Sequence, residues 1–204
     1  MGDKNKIIVI GRSFGSGGRR IGLEIARRLG IPFYDRELLK RASSEFGYSP
    51  EIFARADEKR PSLLKRIVSQ SYGIAESYQP DTISIESLYE IQSRVIRGVA
   101  ERSDCVIVGR TADYILRNNP KLISIFIHSP AERRACNIVA RGEAPNLEKA
   151  EELVRKIDKE RESYYNFFTG RNWGVASNYH LSLDSSSLNA DTIVEIVTNI
   201  YNCK

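Results

Sequence analysis

The chain has 204 residues, 41% of them apolar, and its 31 basic and 26 acidic side chains leave a net charge of +5. That length suits one domain, or one domain carrying a small insert or lid, with enough apolar material for a full core. The charge excess has no polybasic tail or aromatic-interleaved basic run behind it, so it fits anionic small molecules at least as well as nucleic acid, and no apolar run reaches membrane-spanning length.

Cys105, Cys136 and Cys203 are scattered and lack C-x-x-C spacing, which indicates neither a disulfide frame nor a zinc site. The amino terminus has no apolar signal stretch, and Lys6 spoils a myristoylation pattern. A soluble, cytoplasmic protein with reduced thiols is expected, without nucleic-acid or membrane partners.

Residues 7–20 read Ile-Ile-Val-Ile-Gly-Arg-Ser-Phe-Gly-Ser-Gly-Gly-Arg-Arg. Four apolar residues in a row suit a strand buried on both faces of a parallel sheet. Gly15, Gly17 and Gly18 permit positive φ and can turn successive amides inward as an anion nest. A helix from about Arg19 adds its positive end. The segment departs from the G-x-x-x-x-G-K-[ST] phosphate loop, offering Gly18 where lysine belongs and Arg19 where Ser or Thr belongs. Sliding by one residue restores a basic residue after glycine but puts Ser13 where the first glycine belongs. A plain strand–turn–helix connection stays open at this point.

Ile21, Ile25, Ala26 and Leu29 then recur at helical spacing until Gly30, and Ile31–Tyr34 reads as a short strand with proline near its start. Residues 36–102 show no convincing strand. Within them, the piece from Gly47 to about Ser84 reads as a small helical insert, and Leu88, Ile91, Val95 and Val99 share one helix face. Strands follow at Cys105–Val108 and Leu122–Ile127, with a short helix over 111–117 between them. Ser129-Pro130-Ala131-Glu132 reads as a capping box with Ser129 at the N-cap and Pro130 first in the helix. After a polar turn at 142–146, a long helix is expected to bury Leu147, Ala150, Val154, Ile157, Tyr164 and Phe168. Tyr179–Leu183 alternates as a last strand, and Ile193, Ile196, Val197 and Ile200 mark a closing helix. Strands alternating with helices predict an α/β fold of three layers around a five-stranded parallel sheet.

Ligands of such sheets bind at the carboxyl ends of the strands. Here those ends are followed by the glycine turn with Arg12, Arg19 and Arg20, by Asp35 and Arg36, by Gly109-Arg110 and Asp113, and by Arg133 and Arg134. Any one arginine reads as surface. Together they suit several phosphates, whose oxygens guanidinium groups hold in pairs. Arg161 falls on the apolar stripe of the long helix, so either its stem packs and its head pairs with Asp158, or it aims charge into the crevice. Arg134 and Arg141 are seven apart and can share a helix face, as the arginines of a closing lid do. His128 and His180 lack nucleophile spacing and read as structural, and no G-x-S-x-G or H-E-x-x-H signature occurs.

The chain resembles the cytidylate kinase-like family, within the P-loop nucleoside monophosphate kinases. The resemblance is carried by Gly15-Ser16-Gly17-Gly18-Arg19, Phe33-Tyr34-Asp35-Arg36-Glu37-Leu38, Val106–Asp113, Ala131-Glu132-Arg133-Arg134, Lys156–Arg161 and Tyr179–Ser185. It implies an inserted monophosphate-binding region over about 36–100, an arginine lid over about 130–165, and transfer of the ATP γ-phosphoryl to CMP or dCMP with Mg²⁺. On that reading Ser13, Gly15, Ser16, Gly17, Gly18, Arg19 and Arg20 hold the donor phosphates. Asp35, Arg36, Arg41, Arg110 and Asp113 hold the acceptor, while Arg134, Arg141 and Arg161, with Arg19, act on the transferring group. The resemblance leaves the metal ligands unassigned. Cytidylate kinases keep a lysine at position 18 and an aspartate at position 108, where this chain has Gly18 and Val108. The alternative is therefore a nucleotide-binding regulatory module without turnover.

Overall fold

Strand β1 (Ile7–Arg12) is the centre of the molecule, and Ile7, Ile8, Val9 and Ile10 have no exposed surface. A computed structural model describes residues 5–49 and 85–203. The expected insert over 47–84 lies almost wholly outside the described residues.

Around β1 the sheet has five parallel strands in the order β2-β3-β1-β4-β5, with β2 at Phe33–Tyr34, β3 at Cys105–Val108, β4 at Leu122–His128 and β5 at Leu181–Asp184. Register sets Ile8 between Val106 and Ile123, and Ile10 between Val108 and Ile125. Side chains alternate across a strand, so one face of β1 offers Ile7 and Val9 and the other Ile8 and Ile10. The first pair packs with α2 (Arg36–Ser43), α3 (Ile85–Arg102) and α4 (Ala112–Ile115) through Leu39, Val95, Ile96, Val99 and Ile115. The second pair packs with α1 (Gly18–Leu29) and α7 (Ala190–Cys203) through Ile21, Ile25, Ile193, Val194 and Val197. This is the three-layer arrangement expected from the alternation of elements. Among the described residues no helix is long and apolar enough to cross a membrane.

A third cluster joins α5 (Ala131–Ala140) to α6 (Leu147–Thr169): Ala135, Ile138 and Ala144 meet Ala150 and Val154, with Phe14 of the glycine turn against them. Two expectations are corrected here. No side chain caps α5; its first helical carbonyl is that of Pro130, taken by the Arg134 amide at 3.1 Å. The Ser129 carbonyl is instead used by Arg134 Nε at 2.8 Å, so Ser129 anchors an arginine rather than a helix start. The buried stripe of α6 is also rotated from the expected one. Leu147 is 52% exposed, and below Val154 the inward positions pass through Asp158 and Arg161 to Tyr165 and Thr169. Asn146 caps α6 by accepting from the Lys149 amide, and Gly170 ends it with φ 65°.

The last strand begins two residues later than its alternation suggests. Tyr179 turns in to pack on Phe126 at 5.0 Å between ring centroids, and His180 Nδ1 accepts the Ser124 amide at 2.9 Å. That acceptor role leaves the remaining imidazole proton on Nε2 in the neutral ring.

Candidate active site

The turn after β1 is held open by what its carbonyls do. The Arg12 carbonyl accepts from Arg161 Nη1 at 3.0 Å, that of Ser13 from Ser16 Oγ at 2.8 Å, and that of Phe14 from Arg134 Nη1 at 2.9 Å. The Gly15 carbonyl accepts from Asn137 Nδ2 at 3.2 Å, and the Ser16 carbonyl from Ser185 Oγ at 2.8 Å. Every carbonyl from position 12 to 16 is thus drawn to a partner, four of the five on other elements. The amides of Gly17, Gly18, Arg19 and Arg20 are left without acceptors among the described residues. With φ at 83° for Gly15 and 79° for Gly17, the turn forms an anion nest at the head of α1.

The nest forms one wall of a cleft of about 810 Å³. Ser13, Gly15, Ser16, Gly17, Gly18, Arg19 and Arg20 line it, with Arg141 and Arg161 facing them. A second cavity of about 80 Å³ adjoins it at the ends of β1 and β3. Arg36, Arg110 and Asp113 line this smaller space together with Tyr164 and Tyr165. Arg12 and Arg161 border both.

Three expected site residues are not among the lining of either space. Arg134 lies beneath the nest, paired with Asp158 Oδ2 at 2.5 Å and only 11% exposed in its side chain. Asp35 caps α2 by accepting the Glu37 and Leu38 amides and binds Arg19 at 2.6 Å. Burial alone raises the Asp35 pKa, but the Leu38 amide, Arg19 and the Glu37 amide together hold it below the ordinary value. Arg41 is exposed on α2.

The turn after β3 holds the positive-φ non-glycine residues found among the described residues. Gly109, Arg110 and Thr111 are successive left-handed residues at φ 76°, 61° and 53°. Such conformations cost non-glycine residues about 1–2 kcal/mol each. The surroundings hold them there. Gln92 receives Arg110 Nη1 at 3.0 Å on its carbonyl and donates to the Arg110 carbonyl at 3.2 Å and to Tyr164 Oη at 3.0 Å. Tyr89 Oη meets Thr111 Oγ1 at 3.0 Å, and its ring stacks on Phe168 at 4.0 Å. A buried glutamine aimed at an arginine is a positioning device that single-chain periodicity does not reveal.

Asp113 accepts from Tyr165 Oη at 2.8 Å and is 7% exposed. Burial pushes its pKa above the ordinary value despite that hydrogen bond, and burial beside the carboxylate raises the Tyr165 and Tyr179 hydroxyls too. Arg161 is mostly buried between the two cavities, which lowers its pKa, while Asp158 at 3.8 Å opposes that shift. Its guanidinium also lies 5.5 Å from the Phe14 ring. The sequence left open whether this arginine pairs with Asp158 or faces the crevice. It does both.

Position 19 is arginine, Asp35 and Asp158 are committed to arginines and amides, and among the described residues no three His, Cys, Asp or Glu side chains gather as a metal site.

The model of the cytidylate kinase-like family matches residues 7–187. A comparison with curated protein sequences found no match. Among solved structures, an uncharacterized protein from Eubacterium ventriosum ATCC 27560 is similar, with a TM-score of 0.73 and 24% identity over 98% of this chain and 100% of that one. Shikimate kinase from Bacteroides thetaiotaomicron is similar at a TM-score of 0.53 and 12% identity, covering 97% of this chain and 98% of that one. A gluconokinase from Sinorhizobium meliloti 1021 gives a TM-score of 0.52 and 16% identity, covering 98% and 97%. At such identities the likeness is one of fold, and the fold is that of the P-loop kinases.

Proposed function

The chain belongs to the cytidylate kinase-like family, and from that premise we propose that it transfers the γ-phosphoryl of ATP to a nucleoside monophosphate, CMP or dCMP foremost. The observation that carries this reading is that Arg161 borders both cavities at once, between an amide nest and an arginine-lined pocket. Phosphoryl transfer asks little covalent chemistry of a protein; positioning and charge neutralisation supply the catalysis.

The residues divide the work accordingly. The nest amides of Gly17, Gly18, Arg19 and Arg20 hold donor phosphate oxygens, and the cleft accommodates the rest of the nucleotide. Arg36 and Arg110 hold the acceptor phosphate, with Arg110 kept in place by Gln92. Asp113 sits behind them as an acceptor for a sugar or base donor. In the transfer, an acceptor phosphate oxygen bonds to the γ-phosphorus as the bond to the ADP bridging oxygen breaks. Arg161 and Arg141 neutralise the charge spread over the oxygens in flight. Arg134, tied under the nest, shapes the loop rather than touching the phosphates, and Asp35 orients Arg19. Residues 36–49 and the helices flanking the 142–146 turn are the acceptor-side and lid portions of one kinase domain. Magnesium would be carried in by the triphosphate and its water ligands, and no step here depends on a protein carboxylate binding it.

Gly18 and Val108 favour a second reading, a nucleotide-binding module without turnover, since neither position offers the charge that cytidylate kinases keep there. Measuring ADP release over a panel of nucleoside monophosphates, beside ATP binding by calorimetry, separates the two. Acceptor-dependent ADP release supports the kinase; ATP binding with no ADP release for any acceptor supports the module.

A further inference from the structure

Gly18 has no conformational reason to be glycine. It is the first residue of α1, and unlike Gly15 and Gly17 it does not have positive φ. Its reason is space. A Cβ at Gly18 would stand 2.7 Å from Arg12 Cβ and 3.2 Å from Arg12 Cγ. The stem of Arg12 therefore fills the room beside the place where cytidylate kinases carry their lysine.

The head of the same side chain goes where charge is needed. A Cβ at Gly109 would lie 2.0 Å from Arg12 Nη1 and 3.0 Å from Arg12 Cζ. The guanidinium is thus laid across the end of β3, at the junction between the donor cleft and the acceptor cavity, both of which Arg12 borders. Its backbone is fixed there by Arg161, which donates to the Arg12 carbonyl. Arg19, next to Gly18 in sequence, leans to Asp35.

We propose that Arg12 is the phosphate-binding cation of this site, replacing the loop lysine, and that Gly18 is glycine to admit it. The charge has moved from the first turn of the helix to the last residue of the preceding strand. From there a planar fork can hold oxygens of the donor and of the transferring group together. Its reaction rests on the phosphotransferase reading; its ligand, a polyphosphate, does not.

The test is ATP and inorganic tripolyphosphate binding by calorimetry, with thermal unfolding of each nucleotide-free variant. Arg12→Met keeps the stem beside Gly18 and removes only the charge. Losing charge-assisted hydrogen bonds worth about 1.5–3 kcal/mol weakens binding roughly 10–150-fold, with unfolding near that of the parent. Arg12→Lys retains part of the affinity. Gly18→Lys alone loses stability and binding because its Cβ collides with Arg12 Cβ and Cγ, whereas Arg12→Gly with Gly18→Lys binds more tightly than Arg12→Gly. If folded Arg12→Met binds both probes as the parent does, or the double variant binds no better than Arg12→Gly, the proposal is wrong. A parent that binds ATP through Arg12 yet transfers to no acceptor sinks the kinase reading and leaves this one standing. A parent that transfers phosphoryl while Arg12→Met binds and turns over unchanged does the reverse.

Discussion

Asp158 Oδ1 accepts the amide of Phe14 at 2.7 Å, so a carboxylate on α6 latches the glycine turn from 144 residues away. Its other oxygen takes Arg134 at 2.5 Å, and Arg134 in turn holds the Phe14 carbonyl at 2.9 Å. One peptide-wide clamp thus sets both the donor and the acceptor of Phe14, and the nest inherits its shape.

Asp158→Ala should destabilise the protein by roughly 2–4 kcal/mol, because it strands a mostly buried arginine and an amide at once. Chemical denaturation measures that loss. The same variant should bind ATP more weakly, since the loop no longer turns its amides toward the cleft. An unfolding midpoint like the parent's would show that the clamp is decorative.

Arg161→Ala should act differently. Its side chain touches the Arg12 carbonyl and the Phe14 ring and faces both cavities. If it neutralises the transferring group, kcat falls by about 10³ or more while KM for either substrate moves much less. Arg161→Lys keeps the charge but not the fork and should recover only part of the rate. Equal losses in KM with kcat intact would make it a ground-state binding residue.

The nest offers a sharper contrast. Gly15 and Gly17 both have positive φ, yet a Cβ at Gly15 would lie 2.9 Å from the Arg134 carbonyl oxygen, and one at Gly17 meets nothing within 4 Å. Gly17→Ala should therefore cost only the conformational penalty of about 1–2 kcal/mol. Gly15→Ala should cost more, because backbone of α5 stands in the way. Unfolding both variants without nucleotide ranks them; the reverse order would contradict this packing.

These relationships differ in how far the sequence announces them. β3 falls at Cys105–Val108 as its apolar run predicts, and β1 and β4 are equally legible, since strands buried on both faces are continuous apolar runs. The start of β5 is not legible, because Tyr179 and His180 alternate like strand residues but are drawn to Phe126 and Ser124 by tertiary contacts. Arg161 stands out on its helix because a charge on an apolar stripe is a local anomaly. Arg12 does not, because its role comes from the emptiness of two glycines far apart in sequence, Gly18 and Gly109. Gln92 is hidden for the same reason: its partner Arg110 is 18 residues on, across a helix end and a strand. The Ser129 capping box misleads because its signature is local, and the helix starts one residue later, with the Pro130 carbonyl accepting the Arg134 amide.

Asp113 carries a prediction about pH. Its carboxyl is buried, and its pKa in the folded protein is raised above the unfolded value of about 3.9. The native state then holds the proton more tightly than the unfolded chain, so stability falls as pH rises from the unfolded pKa through the native one. Above that window the protein carries the full penalty of a buried charge; below about pH 4 the penalty is gone. Asp113→Asn removes it while its side-chain carbonyl still accepts from Tyr165 Oη, which donates to the carboxylate at 2.8 Å in the parent. The variant should unfold later than the parent near neutral pH, and the two should converge as the buffer is acidified. If Asp113 also receives a donor from the acceptor substrate, the same substitution raises KM for that substrate and leaves ATP binding unchanged. A variant less stable than the parent at neutral pH would mean that the Asp113 charge is solvated or paired more strongly than its burial implies. The stability curve thus reads the burial of the carboxylate, and the KM reads its use.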